Sequence, residues 1–313
     1  MTLARAVELA RAARDRAYPK PTVGAVVVSD GEIVGEGVTE VAGRHAEVVA
    51  LAAAGERARD ATLYVSLEPC NHHGTTPPCT DAILSAGVAR VVYGAADPNS
   101  KAAGGAARLG REGIDVEFVD SVEARALNEA WRTWVAKGRP FVTYKAAVTL
   151  DGRVTVPGER WVTGEESRRA VHELRASVDA VAVGGGTARA DLPRLDARGV
   201  ETPRGQPRRL VFSKGPLPEG LDLELRSGPL EDELRGLAEE GVQSLLLEGG
   251  PTLAASFLEA DLVDKILLFT APTLAGAGPG ALQASLPSPR TLVRLSARQV
   301  GADVLLEAYV HDS

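Results

Sequence analysis

Residues 70–79 read CNHHGTTPPC and contain both cysteines of the 313-residue chain. Proline precedes each one, as Pro69-Cys70 and Pro77-Pro78-Cys79. Upstream, His45-Ala46-Glu47 opens a helix-like run, AEVVALAAAG. One imidazole and two thiolates make three protein ligands, the set a catalytic zinc uses while a fourth position stays open for water. Glu47 follows the histidine by two residues and is not needed as a ligand. It suits the proton-shuttling carboxylate of zinc nucleobase deaminases. Cys70 and Cys79 at the start of a helix would have their thiolates stabilised by the helix dipole. A structural zinc site is the competing reading, although such sites usually close with four protein ligands. Two cysteines alone also fit a buried pair or an incidental redox site.

The segments around this window set its fold class. Residues 3–16 place apolar side chains on one helical face, and Pro19 and Pro21 are expected to end that helix. Val23–Val28 reads as a strand, and Ser29-Asp30-Gly31 as a hairpin turn into Ile33-Val34. After the His45 helix come a strand at Leu63–Ser66, the cysteine loop and a helix over Thr80–Ala86. A strand at Arg90–Tyr93, a helix over Ala102–Glu112, a strand at Val116–Val119 and a helix ending near Val135 follow. Alternating strands and helices predict an α/β layer with a mostly parallel sheet after the hairpin.

A polar break at Lys137-Gly138-Arg139-Pro140 predicts a domain boundary, giving domains 1–138 and 139–313. The second half is again α/β. Strands are expected at Phe141–Leu150, Ala180–Val183, Arg209–Phe212, Leu245–Leu247, Lys265–Phe269 and Val304–Val310. Helices are expected over Glu165–Ala176 and up to Ala260, and a loop over 193–208. Gly184-Gly185-Gly186 and Glu248-Gly249-Gly250 each follow a buried strand, where a backbone can approach a pyrophosphate. Neither matches GxGxxG, so a Rossmann domain is not indicated, and taken alone such glycines are more often tight turns than cofactor loops.

The net charge of −7 is spread over both halves: residues 1–138 carry 15 basic and 18 acidic side chains, the remainder 20 and 24. Neither half is a basic patch, which speaks against nucleic acid as a partner. The N-terminal run contains acids and does not resemble a signal or transit peptide, and no apolar run reaches membrane-spanning length. Composition fits a cytoplasmic α/β enzyme.

The eight residues between the cysteines exceed the two of the general deaminase signature. With them, SLEPCNHHGTTPPC (66–79), PKPTVGAVVV (19–28), HAEVVAL (45–51) and DPNS (97–100) closely resemble the deaminase half of the bifunctional riboflavin-biosynthesis deaminase–reductases. The resemblance continues through KAAVTLDGR (145–153), RWVTG (160–164), HELRASVDAVAVGGGT (172–187) and LLLEGGPTLAASFL (245–258). It implies a cytidine-deaminase-like α/β/α domain followed by a dihydrofolate-reductase-like domain that uses NADPH. It implies one zinc on His45, Cys70 and Cys79, with Glu47 as proton shuttle. His72, Asp97 and Asn99 would line a pocket for a phosphorylated pyrimidine. Ala147, Trp161, Thr187, Asp191, Ser213, Gly249, Gly250, Pro251 and Thr252 would contact the nicotinamide cofactor. Arg175, Leu195, Arg198 and Glu248 would face the substrate, and Lys145 would orient its sugar. The family forms dimers or tetramers, so a homo-oligomer is expected.

Several positions depart from the family pattern. Lys20 stands where members often have Asn, and Thr75 where they often have a basic residue, so Lys20 is expected to supply part of the charge facing the phosphate. The usual Asp-Asp-Pro-x-Leu-Thr is Asp191-Leu192-Pro193-Arg194-Leu195-Asp196 here. The 151–161 loop is short, placing Glu159 or Arg160 where a substrate-facing serine is usual. A zinc deaminase for another nucleotide with a degenerate second half therefore stands as the alternative.

Overall fold

Asp30 and Gly31 have positive φ values of 52° and 80°, the pairing a two-residue hairpin turn requires. The computed structural model describes all residues except 1, 15, 42, 75, 284, 285, 287 and 313, and the first unit, Met1–Lys137, is built around that hairpin. Helix α1 (Thr2–Ala12) precedes strands β1 (Gly24–Ser29) and β2 (Glu32–Val38). Then come α2 (Ala46–Ala54), a 3-10 turn (Gly55–Ala58), β3 (Thr62–Val65), α3 (Cys79–Ala86) and β4 (Arg90–Tyr93). The unit ends with α4 (Gly105–Arg111), β5 (Asp115–Phe118), α5 (Val122–Leu127) and α6 (Glu129–Lys137). The strand order is β2-β1-β3-β4-β5. Strand β1 is antiparallel to β2 and β3, while β3–β4 and β4–β5 are parallel and joined by helical crossovers.

Leu63, Ile83 and Leu109 are fully buried in this unit's core. Burying a side chain of that size contributes about 1.5–3 kcal/mol, so Ile83 ties the helix that starts at Cys79 to the sheet. Helix α2 lies directly on the backbone of β2. A Cβ at Gly37 would stand 2.3 Å from the Ala46 carbonyl oxygen, so only glycine permits the approach that seats His45 and Glu47.

Three boundaries differ from expectation. Helix α1 stops at Ala12, ahead of Pro19, because the chain tightens into three-residue turns from Ala13 N to Ala10 O and from Arg16 N to Ala13 O. Helix α4 starts at Gly105 because Ala102 and Ala103 both donate to the Asn99 carbonyl, 2.8 Å each, closing a turn instead. The helix expected to end near Val135 is two helices, broken at buried Asn128. Its amide accepts from Thr22 N and donates to Thr22 O, both at 2.9 Å, competing with helical bonding.

The second unit, Gly138–Ser313, has one eight-stranded sheet. Its elements are β6 (Phe141–Thr149), α7 (Glu165–Ala176), β7 (Ala180–Gly184), α8 (Gly185–Asp191), β8 (Arg208–Phe212) and β9 (Glu224–Arg226). They continue with α9 (Leu230–Glu239), β10 (Ser244–Leu247), α10 (Pro251–Glu259), β11 (Lys265–Ala271), β12 (Val293–Val300) and β13 (Asp303–Tyr309). The order is β12-β13-β11-β6-β10-β7-β8-β9, parallel from β11 to β9 and antiparallel at the β12–β13 edge. Central strands β7 and β10 are buried at every position, as expected for a sheet covered on both faces. Arg139 forks onto buried Asp264 at 2.6 and 2.8 Å, and Asp264 also accepts Val142 N, pinning the start of β6. Elements α8, α9, β9 and β12 were not anticipated. Among the described residues, no helix is long and apolar enough to cross a membrane.

Candidate active sites

His45 is the N-cap of α2, Cys70 lies in the loop after β3, and Cys79 is the first residue of α3. The site thus forms beyond the C-terminal end of β3, beside parallel β4, where open α/β sheets bind ligands. His45 Nδ1 lies 3.1 Å from Cys79 Sγ and 3.5 Å from Cys70 Sγ, and the sulfurs are 3.5 Å apart. Zinc bonds of about 2.3 Å to sulfur at the tetrahedral angle put two sulfurs about 3.8 Å apart, so a small adjustment admits the ion. The donor set of one imidazole and two thiols, all within 4.8 Å, fits zinc with a coordination position to spare.

The electrostatics prepare the sulfurs. Cys79 N–H, at the start of α3, points at Cys70 Sγ from 3.3 Å. The Cys70 thiol is pulled down to about 4, first by its hydrogen bond from Cys79 and then, against burial, by His45. Cys79 is pushed up by donating that bond and by burial. A divalent cation held by Cys70 and Cys79 would take the place of the remaining proton. Glu47, 3 % exposed, is the buried carboxyl beside the cluster, and burial raises its pKa while His45 opposes.

Around the cluster, Asp97 and Asn99 follow β4. Asp97 Oδ1 accepts Asn99 N at 2.8 Å, and burial raises the Asp97 pKa. Nδ1 of His72 is buried without a hydrogen-bond partner among the described residues, leaving a polar atom for a ligand. Lys20 is exposed, near enough that its charge opposes protonation of His45. Thr75 lies outside the described residues. Glu68 was missed from sequence, although it sits inside SLEPC. Its carboxylate accepts Asp97 N at 3.3 Å, Gly104 N at 3.1 Å and Ala106 N at 3.2 Å, tying the pocket loop to the residues before Cys70.

In the second unit a cleft of about 760 Å³ opens at the C-terminal ends of β6, β7, β8 and β10. Lys145, Ala147, Thr187, Asp191, Ser213 and Glu248 line it, as do Gly249, Gly250, Pro251 and Thr252. The triple glycine makes no open turn: Gly185 starts α8, so the N-termini of α8 and α10 both face the cleft wall. Arg189 and Lys214, next to Thr187 and Ser213, bring positive charge to the same lining and were not anticipated.

Glu248 is the buried centre of a charge cluster. Arg175 Nε lies 2.5 Å from its Oε1, Arg175 Nη2 3.0 Å from its Oε2, and Lys145 Nζ 3.4 Å from its Oε2. Burial alone would raise the Glu248 pKa, but Lys145 and Arg175 outweigh it and hold it at about 2. Arg198 is half-exposed and bonds Asp196 Oδ1 at 2.5 Å, so the departure at 196 places a carboxylate on that guanidinium. The Leu195 side chain is packed in the core with Val181, Val183 and Val211, which leaves only its backbone to meet a ligand. Trp161 is 56 % exposed and stacks against Arg160 and Arg168, outside the cleft lining.

Comparison with known proteins accounts for both sites. Residues 1–95 match the cytidine and deoxycytidylate deaminase zinc-binding region, and residues 140–306 match the RibD C-terminal domain. The riboflavin biosynthesis protein RibD of Aquifex aeolicus is 41 % identical, with 87 % of this chain and 86 % of that protein covered. The chain belongs to the RibD family. RibD of Mycobacterium tuberculosis is 43 % identical over 88 % of this chain and 85 % of its own. Acinetobacter baumannii RibD superposes with a TM-score of 0.83 at 32 % identity, covering 98 % of this chain and 97 % of that one. A Thermotoga maritima diaminohydroxyphosphoribosylaminopyrimidine deaminase/5-amino-6-(5-phosphoribosylamino)uracil reductase superposes with a TM-score of 0.81 at 33 % identity, over 98 % and 97 %. As a RibD protein this chain is a bifunctional deaminase–reductase of riboflavin biosynthesis, with a zinc-binding deaminase region and an NADPH-using reductase domain. The match over 140–306 does not favour a degenerate second half.

Proposed function

We propose that residues 1–138 deaminate 2,5-diamino-6-ribosylamino-4(3H)-pyrimidinone 5′-phosphate and that residues 139–313 then reduce the ribosyl group of the product to ribityl phosphate. The observation that carries this reading is the convergence of His45, Cys70 and Cys79 with buried Glu47 in a chain that matches RibD proteins along most of its length. Zinc held by His45, Cys70 and Cys79 would supply Lewis acidity that makes water a nucleophile at neutral pH. Glu47 takes one proton from that water and delivers it to the ring nitrogen, then carries the hydroxyl proton left at the attacked carbon to the departing amine, so that the carbonyl forms as ammonia leaves. Its burial suits this work, because a raised pKa lets one carboxyl act as base and then as acid. His72, Asp97 and Asn99 orient the pyrimidine, and Lys20 faces the phosphate.

In the reductase half the nicotinamide cofactor supplies the reducing equivalent. Thr187, Asp191, Ser213 and the 249–252 turn hold it, with Ala147 on the floor and Trp161 at the margin. Glu248 fixes Lys145 and Arg175, and Lys145 orients the sugar. Arg175 and Arg198 clamp the substrate phosphate, for which Arg198 must leave Asp196. The same reading expects the chain to associate into a dimer or tetramer. The test is incubation of purified protein with the diaminopyrimidine phosphate and NADPH. Ammonia release followed by NADPH oxidation supports the reading; ammonia release alone removes the reductase assignment.

A further inference from the structure

We infer that Arg108 is a positioning residue for the metal site, clasping the two cysteine-bearing segments together from behind. The inference rests on His45, Cys70 and Cys79 being the zinc ligands. Cys70 comes from a loop and Cys79 from a helix, so their side-chain geometry depends on whatever joins the two segments. The residue after each cysteine, Asn71 and Thr80, is where they are joined. Arg108 Nη1 donates to Asn71 Oδ1 at 3.1 Å and to Thr80 Oγ1 at 2.9 Å. The Thr80 hydroxyl donates to Asn71 Oδ1 at 3.1 Å, closing a triangle one residue beyond each thiol. Thr80 is fully buried, and its N–H also reaches the Cys70 carbonyl at 3.3 Å.

The base of the clasp is held as firmly as its tip. Arg108 stands on α4, whose first residue is in direct contact with the segment before Cys70. A Cβ at Gly105 would lie 1.7 Å from the Pro69 carbonyl oxygen, so that contact excludes any side chain there. Glu68 accepts the N–H groups of Gly104 and Ala106 at the same helix start. Arg108 Nη2 also pairs with Asp81 at 2.6 Å, but both side chains are about one-third exposed, at 31 % and 39 %, and such a pair contributes little. The bonds to Asn71 and Thr80 are the ones that set the spacing of the sulfurs. Without them the links that remain, Thr80 N–H to the Cys70 carbonyl and Cys79 N–H to Cys70 Sγ, hold the segments less tightly, and the ordering left to the ion appears as weaker binding.

The test is zinc affinity measured by chelator competition, alongside folding followed by circular dichroism. Arg108→Met keeps the aliphatic stem and removes every donor, and Thr80→Val is isosteric and removes the hydroxyl. Each is expected to bind zinc about tenfold or more weakly, while Asp81→Asn stays within about twofold of the parent. Cobalt substituted into Arg108→Met is expected to give an altered sulfur-to-metal charge-transfer band. Parental zinc affinity in both folded variants overturns the clasp, as does an equal loss in Asp81→Asn, which would assign the effect to the ion pair. Should Arg108→Met fail to fold, Thr80→Val decides. A parent protein that binds no zinc would instead remove the ligand assignment itself.

Discussion

The cysteine site gathers three side-chain atoms within 4.8 Å from three segments, whereas the cofactor cleft of about 760 Å³ is walled by strand ends and glycine-rich helix starts. In the first, the chemistry is concentrated in atoms that have no substitute. In the second it is spread over backbone and many side chains around one buried charge cluster. A single substitution should therefore abolish function at one site and grade it at the other.

The largest expected effect is at Cys79. Cys79→Ser removes one of the three ligands, so zinc content should fall to near zero and deamination become undetectable. Reduction of supplied deaminated substrate should stay within about twofold, since ligand loss acts on the metal alone. Metal analysis and paired ammonia and NADPH assays check this, and loss of both activities would break the contrast. Next comes Glu47→Gln, which should lower deamination about 10²- to 10⁴-fold while zinc stays bound. Retained activity would remove Glu47 as the proton shuttle.

These two expectations were legible in the sequence, because ligand identity is a property of residue type and spacing. His45, Cys70, Cys79 and Glu47 could be chosen from CNHHGTTPPC and HAE alone. So could the hairpin, where Asp30-Gly31 carries its own backbone preference. Glu68 and Arg108 were not legible, since their partners Gly104, Ala106 and Asn71 lie 36–38 positions away. The break at Asn128 was hidden for the same reason: its partner is Thr22, 106 positions distant. Leu195 shows the converse: its place in a motif was legible, but not that its side chain packs into the core and leaves the backbone to meet a ligand. Helix α9 is legible in the sequence, since Leu234, Leu237 and Ala238 bury one face at helical spacing.

In the cleft, the grading should follow charge. Glu248→Gln leaves Lys145 and Arg175 facing each other without an anion, and unfolding in denaturant should show a loss of about 3–5 kcal/mol. The same cluster gives a pH signature. The folded pKa of Glu248 is depressed to about 2, so its contribution is complete above the unfolded value near 4.5 and is lost as pH falls from there toward 2. That contribution is on the order of 3 kcal/mol. Denaturant unfolding of the parent and of Glu248→Gln should therefore converge as pH drops through that window, and a constant gap would contradict the assignment. The smallest effect is at Lys20. Lys20→Ala should raise KM for the phosphorylated pyrimidine about two- to fivefold, as expected for one exposed cation, and leave kcat near the parent value. An unchanged KM would remove Lys20 from the phosphate site.

The central claim is that one chain deaminates at the cysteine site and then reduces in the cleft. It is tested most directly by following ammonia and NADPH together after adding the diaminopyrimidine phosphate to the parent and to Cys79→Ser. The account predicts that the parent releases ammonia and then consumes NADPH in equal amounts. The variant should do neither until it is given deaminated substrate, which it should reduce normally. NADPH consumption by the variant from the diamino substrate, or none by the parent after ammonia release, would contradict it.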